Sequence, residues 1–496
     1  MTAGRAGADR LARLQLAGTL LFGLSLRAWC FVGWGLPDDS YYAHTAFSLA
    51  RGRFDLQFGS NYRLGLHLPN ALSLRLFGVS DVSFVLFPLA CSLATIPLTY
   101  WIGKRLAGAR AGLLAAALVA ASPFDVVYST TMTIDLITSC LCAAAALLLL
   151  QAEAASARAA RLAQLLAALL LFQAYLVKIP ALLFVAVLCV YSASAPGLWR
   201  RHAALYVALA ALLAGSFLLD WAVSGDALGY WSRERATAPR MAPELGTRWY
   251  LGLYPRWMFG LTQAESPFGL TFHAALFALG YALLRRLPGR RLLVPWSLGL
   301  FLLLEFLPNR LALPYEPVPR FARYMAALLV PALLLVAIAV DDLARRHPRV
   351  AACAFAALLL SFVHTALNGA ASLHDSLADT RAASRFLLAQ PPGLVYSDNR
   401  MLDRINFDSG YANAFTLVHL QSLIERAPRA ALLASLGPAR AGYVLTGGSR
   451  GVEMSPAAIL ELGPARPPSE WRLLHRVDGP PTAWRREPLR IFASGR

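Results

Sequence analysis

Charge is scarce in this chain. Only 15% of its 496 residues are Asp, Glu, Lys or Arg while 57% are hydrophobic, a balance outside that of soluble globular proteins. Lysine is nearly absent: of 46 basic residues, only Lys104 and Lys178 are lysines. The formal net charge of +18 could suggest nucleic acid. The arginines, however, fall in short loops between apolar runs rather than in one basic domain with interleaved aromatics, so they record membrane topology and no nucleic-acid partner is expected. Cysteine is sparse too. All six (Cys30, Cys91, Cys140, Cys142, Cys189, Cys353) lie inside apolar runs. Cys140 and Cys142 point to different sides of a helix, so neither disulfides nor a thiolate metal site is expected. No HExxH pair occurs, and no GxxxxGK[ST], GxGxxG or GxSxG element stands between a strand and a helix. The turn Thr446-Gly447-Gly448-Ser449 reads simply as a turn after a strand. Neither a solenoid repeat nor a duplicated half is present.

What the chain has in quantity is apolar runs. Stretches able to cross about 30 Å of hydrocarbon begin near Leu14, Val82, Ala109, Thr131, Leu162, Ile179, His202, Pro267, Leu292, Phe321 and Val350, about eleven spans. Arg5, Arg10 and Arg13 precede the first run in the manner of a signal peptide. Without a clear small-residue cleavage site, that run is read as a retained span. Residues Leu162 to Ala195 could form one overlong segment or two short ones. Arg158/Arg161 before it and Arg200/Arg201 after it require an even number of crossings, which two short spans meeting at Lys178-Ile179-Pro180 satisfy.

With the N-terminus cytoplasmic, Lys104/Arg105/Arg110, Arg285/Arg286/Arg290/Arg291 and Arg345/Arg346/Arg349 all fall inside. Three longer segments then lie outside: Gly35 to Asp81, Gly225 to Ser266, and the chain after about Gly369. The first contains helical periodicity at Tyr41 to Arg51 and Leu66 to Phe77, suited to helices along the membrane surface. In the last, β-type runs (Gly393–Ser397, Gly442–Thr446, Trp471–Val477, Leu489–Ala493) alternate with helical stretches, predicting a small soluble α/β domain. The expected division is 1–369 for the membrane module and 370–496 for that domain.

Polar residues at the outer face are the candidates for chemistry. Asp38 and Asp39, in PDDSYYAHTAFSLARG, read as a general base, a metal-ligand pair or solvated loop residues. Asp135, near the start of the fourth span, is an ionisable residue in an apolar segment and so marks a site by default, its alternative being a helix cap facing headgroup water. Lys178, in AYLVKIPALLF, suits pairing with a lipid phosphate or snorkelling to the interface. Arg320, Arg323 and Tyr324, in VPRFARYMAALL, suit bidentate phosphate binding or anchoring at headgroup level.

The order of these motifs, PDDSYYAHTAFSLARG, LSLRLFGVSDVS, GKRLAGARAGLLAAAL, SPFDVVYSTTMTID, YLVKIP and PRFARY, resembles the integral-membrane glycosyltransferases of the GT-C fold. The likeness is to those similar to protein O-mannosyltransferases and the lipid A aminoarabinose transferase (glycosyltransferase family 39-like), over roughly residues 14 to 340. The resemblance implies inverting transfer of a sugar from a polyprenyl-phosphate donor to a lipid, glycan or protein acceptor at the outer face of a bacterial inner membrane. It implies Asp38, Asp39 and Asp135 as catalytic residues, with Asp38 the base. Lys178, Arg320 and Arg323 would hold the donor phosphate, and Tyr41, Tyr42 and Tyr324 would line the pocket. The family's Asp-Glu pair stands here as Asp38-Asp39, and the glycine that usually follows the lysine is Ile179. No obligatory cofactor or metal is expected, with a divalent cation at the paired carboxylates as the alternative. Membrane lipids are the remaining partners. The rival readings are a glycolipid transporter or flippase, which predicts related halves, and a noncatalytic glycan-binding scaffold.

Overall fold

The structure, a computed structural model, describes residues 2–35, 38–53, 62–233, 252–261, 266–306, 321–397, 399–412, 415–419, 442–449, 472–478 and 485–494. It divides into two compact units: Met1–Phe31 with Gly52–Asn70 and Val85–Gly369, and Val32–Arg51 with Ala71–Phe84 and Ala370–Arg496. The second unit is therefore discontinuous. The C-terminal segment, expected as a unit by itself, takes in two stretches of the first outer segment.

The first unit is a helical membrane bundle. Helices occupy each of the expected apolar stretches, among them Thr2–Trp29, Asp81–Ala107, Ala109–Ala121, Ile134–Ala152, Ala157–Val177, Leu198–Ser224, Thr271–Arg285, Leu329–Arg346 and Pro348–Leu388. Among the described residues, six helices are individually long and apolar enough to cross a membrane, and Ala109–Ala121 and Ile179–Ala193 are shorter apolar helices. The chain is a multi-pass membrane protein. The ambiguous stretch after Leu162 is broken as charge requires. Helix Ala157–Val177 stops at Lys178, whose backbone is extended, and Pro180 starts a 3-10 turn, Ile179–Ala181, that leads into Leu182–Ala193.

Lipid-facing helices gain little from apolar burial against each other, so close packing of small residues holds such bundles together. Helix Ala109–Ala121 buries Ala111, Gly112, Ala115, Ala116 and Ala120. A Cβ on Gly112 would lie 2.4 Å from the Tyr100 carbonyl oxygen, so only glycine permits this crossing with Asp81–Ala107. A buried ion pair adds specificity. Arg27, fully buried, places Nη2 2.5 Å from Asp125 Oδ1, donates from Nε to Ser92 Oγ at 2.7 Å, and donates from Nη1 to the carbonyls of Gly23 and Ala120 at 3.0 Å each. These bonds satisfy a guanidinium that would otherwise be costly inside the bundle.

The second unit carries the α/β domain. Strands β1 (Leu394–Ser397), β2 (Thr416–His419), β3 (Gly442–Ser449), β4 (Arg472–Val477) and β5 (Arg485–Ser494) form one sheet in the order β2-β1-β3-β5-β4. β1 pairs in parallel with β2 and β3, while β5 runs antiparallel to β3 and β4. Helix Asn399–Asp408 makes the crossover from β1 to β2, and its Met401, Leu402 and Ile405 pack with Val395, Leu445, Ile491 and the end of Pro348–Leu388. The expected surface helices are present as Asp39–Ala50 and Leu64–Phe77.

Replacing Asp125 with Leu leaves Arg27 charged and uncompensated, and is expected to cost about 3–5 kcal/mol. The double variant Arg27→Met/Asp125→Leu should recover most of that loss. Thermal unfolding of purified protein in detergent checks the order, and a double variant no more stable than Asp125→Leu alone would refute it.

Candidate active site

Within the helical unit, three sequence-distant elements meet around one carboxylate. Asp135 stands in the first turn of Ile134–Ala152 and is buried. Lys178, at the break after Ala157–Val177, brings Nζ to 2.5 Å from Asp135 Oδ1 and 3.4 Å from the centre of the Tyr324 ring. Arg323, from the 3-10 segment Ala322–Leu328, places Nε 3.8 Å from Asp135 Oδ2, with its guanidinium 4.8 Å from the Phe321 ring centre. The cluster holds two cations and one carboxylate. Both cations approach this one carboxylate in largely apolar surroundings, where a cation attracts an anion more strongly than it would in water.

A cavity of about 40 Å³ opens on this cluster, lined by Asp135, Thr138, Ser139, Lys178, Trp296 and Tyr324 among others. Asp135, Thr138, Ser139 and Cys142 follow i, i+3, i+4, i+7 spacing, so one face of a single helix forms its polar wall. Phe184, Leu300 and Leu304 make the rest apolar. The lining, aromatic and aliphatic with a few convergent polar groups, has the character of a ligand site, in a space much smaller than the roughly 300–1,000 Å³ of such sites.

Lys178 is held in place from behind. Gly65, in the first turn of Leu64–Phe77, accepts a hydrogen bond from Gln173 Nε2 at 2.9 Å, and a Cβ there would lie 2.7 Å from the Gln173 carbonyl oxygen and 2.8 Å from Val177 N. The bare glycine lets the surface helix sit on the last turn before Lys178. On the other side, Asn70 Nδ2 donates to Met132 Sδ at 3.3 Å, tying the same helix to the turn that leads into Asp135.

The acidic pair lies in the second unit. Asp38 is half-buried at the N-cap of Asp39–Ala50, with no capping hydrogen bond from its side chain. Asp39 is fully buried, and its Oδ2 accepts the Gly35 N–H at 2.9 Å. Tyr42 is buried while Tyr41 is 59% exposed. Thus the two neighbouring carboxylates differ: one is held by backbone, and the other is the more open to solvent. Of the remaining sequence candidates, Arg320 lies outside the described residues.

Sequence reasoning brought out Asp135, Lys178 and Tyr324, which the fold gathers at one cavity, and Arg323, which approaches Asp135 without lining it. Thr138, Ser139 and Trp296 were missed. The helical spacing from Asp135 carries a signal for the first two, whereas nothing in the sequence points to Trp296.

Residues 69–221 match the family described as dolichyl-phosphate-mannose-protein mannosyltransferase. No curated protein matches in sequence. Among solved structures, the chain is similar to ArnT from Cupriavidus metallidurans, in the apo state and bound to undecaprenyl phosphate, at 14% identity and a TM-score of 0.63 over 98% of each chain. It is also similar to the oligosaccharyltransferase of Archaeoglobus fulgidus crystallised with zinc and sulfate (15% identity, TM-score 0.51, 87% of this chain and 68% of that one). The arabinofuranosyltransferase AftD from Mycobacteria aligns at 16% identity and a TM-score of 0.55, over 98% of this chain and 40% of that one. The backbone match to ArnT and AftD, extending over nearly the whole chain and joined to the family match over residues 69–221, establishes that the chain has the GT-C fold of integral-membrane glycosyltransferases.

Proposed function

We propose that the protein is a glycosyltransferase that moves a sugar from a polyprenyl-phosphate donor to a lipid, glycan or protein acceptor at the outer face of the cytoplasmic membrane, inverting the anomeric carbon. The observation that carries this reading is the buried Lys178–Asp135–Arg323 cluster beside an apolar cavity. A lipid phosphate has the charge to pair with Lys178 and Arg323 and a chain suited to apolar surroundings. The match of residues 69–221 and the GT-C fold support the same class of donor.

In this reaction the leaving group is already a phosphate, so the protein must deprotonate an acceptor hydroxyl and stabilise charge on the departing lipid phosphate. Asp38, the less buried carboxylate, is the general base. Asp39 holds the loop that carries it. Asp135 serves as the holder of the two cations, since both approach its oxygens. Lys178 and Arg323 then receive the negative charge as the glycosidic bond breaks, with Arg320 as a further phosphate contact. Tyr324, facing the ammonium, keeps Lys178 at the cavity, and Tyr41 and Tyr42 contribute to the acceptor side.

Purified protein offered a panel of polyprenyl-phosphate sugars and envelope acceptors should transfer one of them, read by mass spectrometry. Failure with every donor, together with unchanged glycolipids, surface polysaccharide and glycoproteins in a strain lacking the gene, would sink the proposal. Asp38→Asn is expected to lower kcat by about 10²-fold or more, the usual contribution of a positioned base. Wild-type turnover in a folded Asp38→Asn protein would remove Asp38 from that role.

Lys178→Gln deletes a charge-assisted contact worth about 1.5–3 kcal/mol. It should therefore weaken use of the donor by about 10- to 150-fold in kcat/KM. A loss confined to the acceptor KM would contradict the assignment. Because Lys178 and Arg323 provide positive charge at the leaving phosphate, transfer should survive chelation by EDTA, and an activity abolished by EDTA and restored by a divalent cation would overturn that expectation.

A further inference from the structure

The second unit contains a buried network that the proposed chemistry does not use. At its centre is Arg404, on helix Asn399–Asp408 of the C-terminal domain, only 4% exposed. Its Nε and Nη2 make a two-pronged contact with Asp408, at 2.9 Å to Oδ2 and 2.6 Å to Oδ1. Nη1 is turned elsewhere. It donates to the Trp34 carbonyl at 3.0 Å, 370 residues away in sequence, and lies 3.4 Å from Asp81 Oδ1. Arg381 Nη2 also donates to the Trp34 carbonyl, at 3.4 Å, and to that of Val32. The Trp34 ring stacks on Phe407, one helix turn from Arg404, at 5.5 Å, and the Trp34 N–H donates to Asp81 Oδ1 at 2.9 Å.

The Trp34 carbonyl and the Gly35 N–H belong to one peptide group. That group is planar, with a barrier to rotation far above thermal energy, so fixing its carbonyl aims its N–H. The N–H so aimed is the one that Asp39 Oδ2 accepts at 2.9 Å. Withdrawal of electron density from the carbonyl by a guanidinium also strengthens the N–H as a donor. The segment is also closely packed at its glycines. A Cβ on Gly35 would meet the Leu377 side chain at 2.5 Å, and one on Gly33, where φ is +80°, would meet Asp81 at 2.8 Å.

We infer that Arg404 is a positioning residue for Asp39, acting through the Trp34–Gly35 peptide plane, so that the C-terminal domain orients the acidic pair. The coupling stands on the hydrogen-bond geometry. Its effect on turnover rests on the catalytic role proposed for Asp38 and Asp39.

Hydrogen exchange in the full-length protein, in detergent, reads the coupling without any assay of activity. In Arg404→Lys, which keeps the positive charge but cannot hold both Asp408 and the Trp34 carbonyl, the Gly35 amide should exchange at least tenfold faster. The amides of β1 and β3 should stay at their wild-type rates. Asp39→Ala, which removes the acceptor and leaves Arg404 in place, should give the same acceleration, and the double variant should add nothing to it. Wild-type protection of Gly35 in Arg404→Lys, or an equal acceleration throughout β1 and β3, would show that Arg404 only stabilises its own domain. Arg404→Gln is the stronger test where it folds; where it does not, the lysine variant decides.

With the donor identified by the panel above, Arg404→Lys should lower kcat while leaving the KM for that donor within about twofold of wild type. Faster Gly35 exchange with unchanged kcat would uphold the coupling and refute the catalytic role of the acidic pair. Unchanged exchange would refute the coupling whatever the activity.

Discussion

The need to balance charge where water is absent governs much of this molecule. A carboxylate, an ammonium or a guanidinium among apolar helices is tolerated only where its partners stand ready, and two of the arrangements in the helical unit are built in different ways. Arg27 and Asp125 are closed by Ser92 and two backbone carbonyls, so that every polar arm is used within the bundle. Asp135 is instead shared by Lys178 and Arg323, and Asp135 and Lys178 line a cavity. The first arrangement joins helices within the bundle; the second borders the cavity proposed for the donor phosphate.

Packing in the bundle makes this placement sharp. The glycine contacts at Gly65 and Gly112 bring helix backbones closer than any side chain would permit. At Gly65 the contact lies within the last turn before Lys178, so the same close approach that joins two helices also sets the position of the ammonium. The backbone break at Lys178 is set by Pro180 and the 3-10 turn Ile179–Ala181 that contains it.

The C-terminal domain is more than an appended fold. Its sheet and crossover helix form an ordinary small α/β core. Two arginines from this part of the chain, Arg381 and Arg404, nevertheless take their acceptors from the backbone beside the acidic pair. Phe47, on the helix that begins with Asp39, stacks on Tyr411 at 4.2 Å, and burial raises the Tyr411 phenol above its ordinary pKa. Loop, surface helix and domain are consequently one compact unit.

Much of this was legible in the chain itself. Long apolar runs can satisfy their backbone in lipid only as helices, so composition alone dictated a helical membrane protein, and a return of Asp, Asn, Pro and Gly after Gly369 announced the α/β domain. Lys178 and Asp135 stood out because ionisable residues in apolar segments are rare enough to need a reason. Arg27 and Asp125 escaped notice for the opposite cause: an arginine near the end of an apolar run and an aspartate near a helix start look like ordinary flanking residues until their side chains are seen to meet across 98 residues. Arg404 carried no signal at all, being one arginine among many in a polar helix. Local sequence determines helix, strand and turn because those depend on neighbouring residues. Only the tertiary structure decided which buried charge meets which partner, because such pairing depends on helix crossings and on a single peptide plane held between residues 370 positions apart.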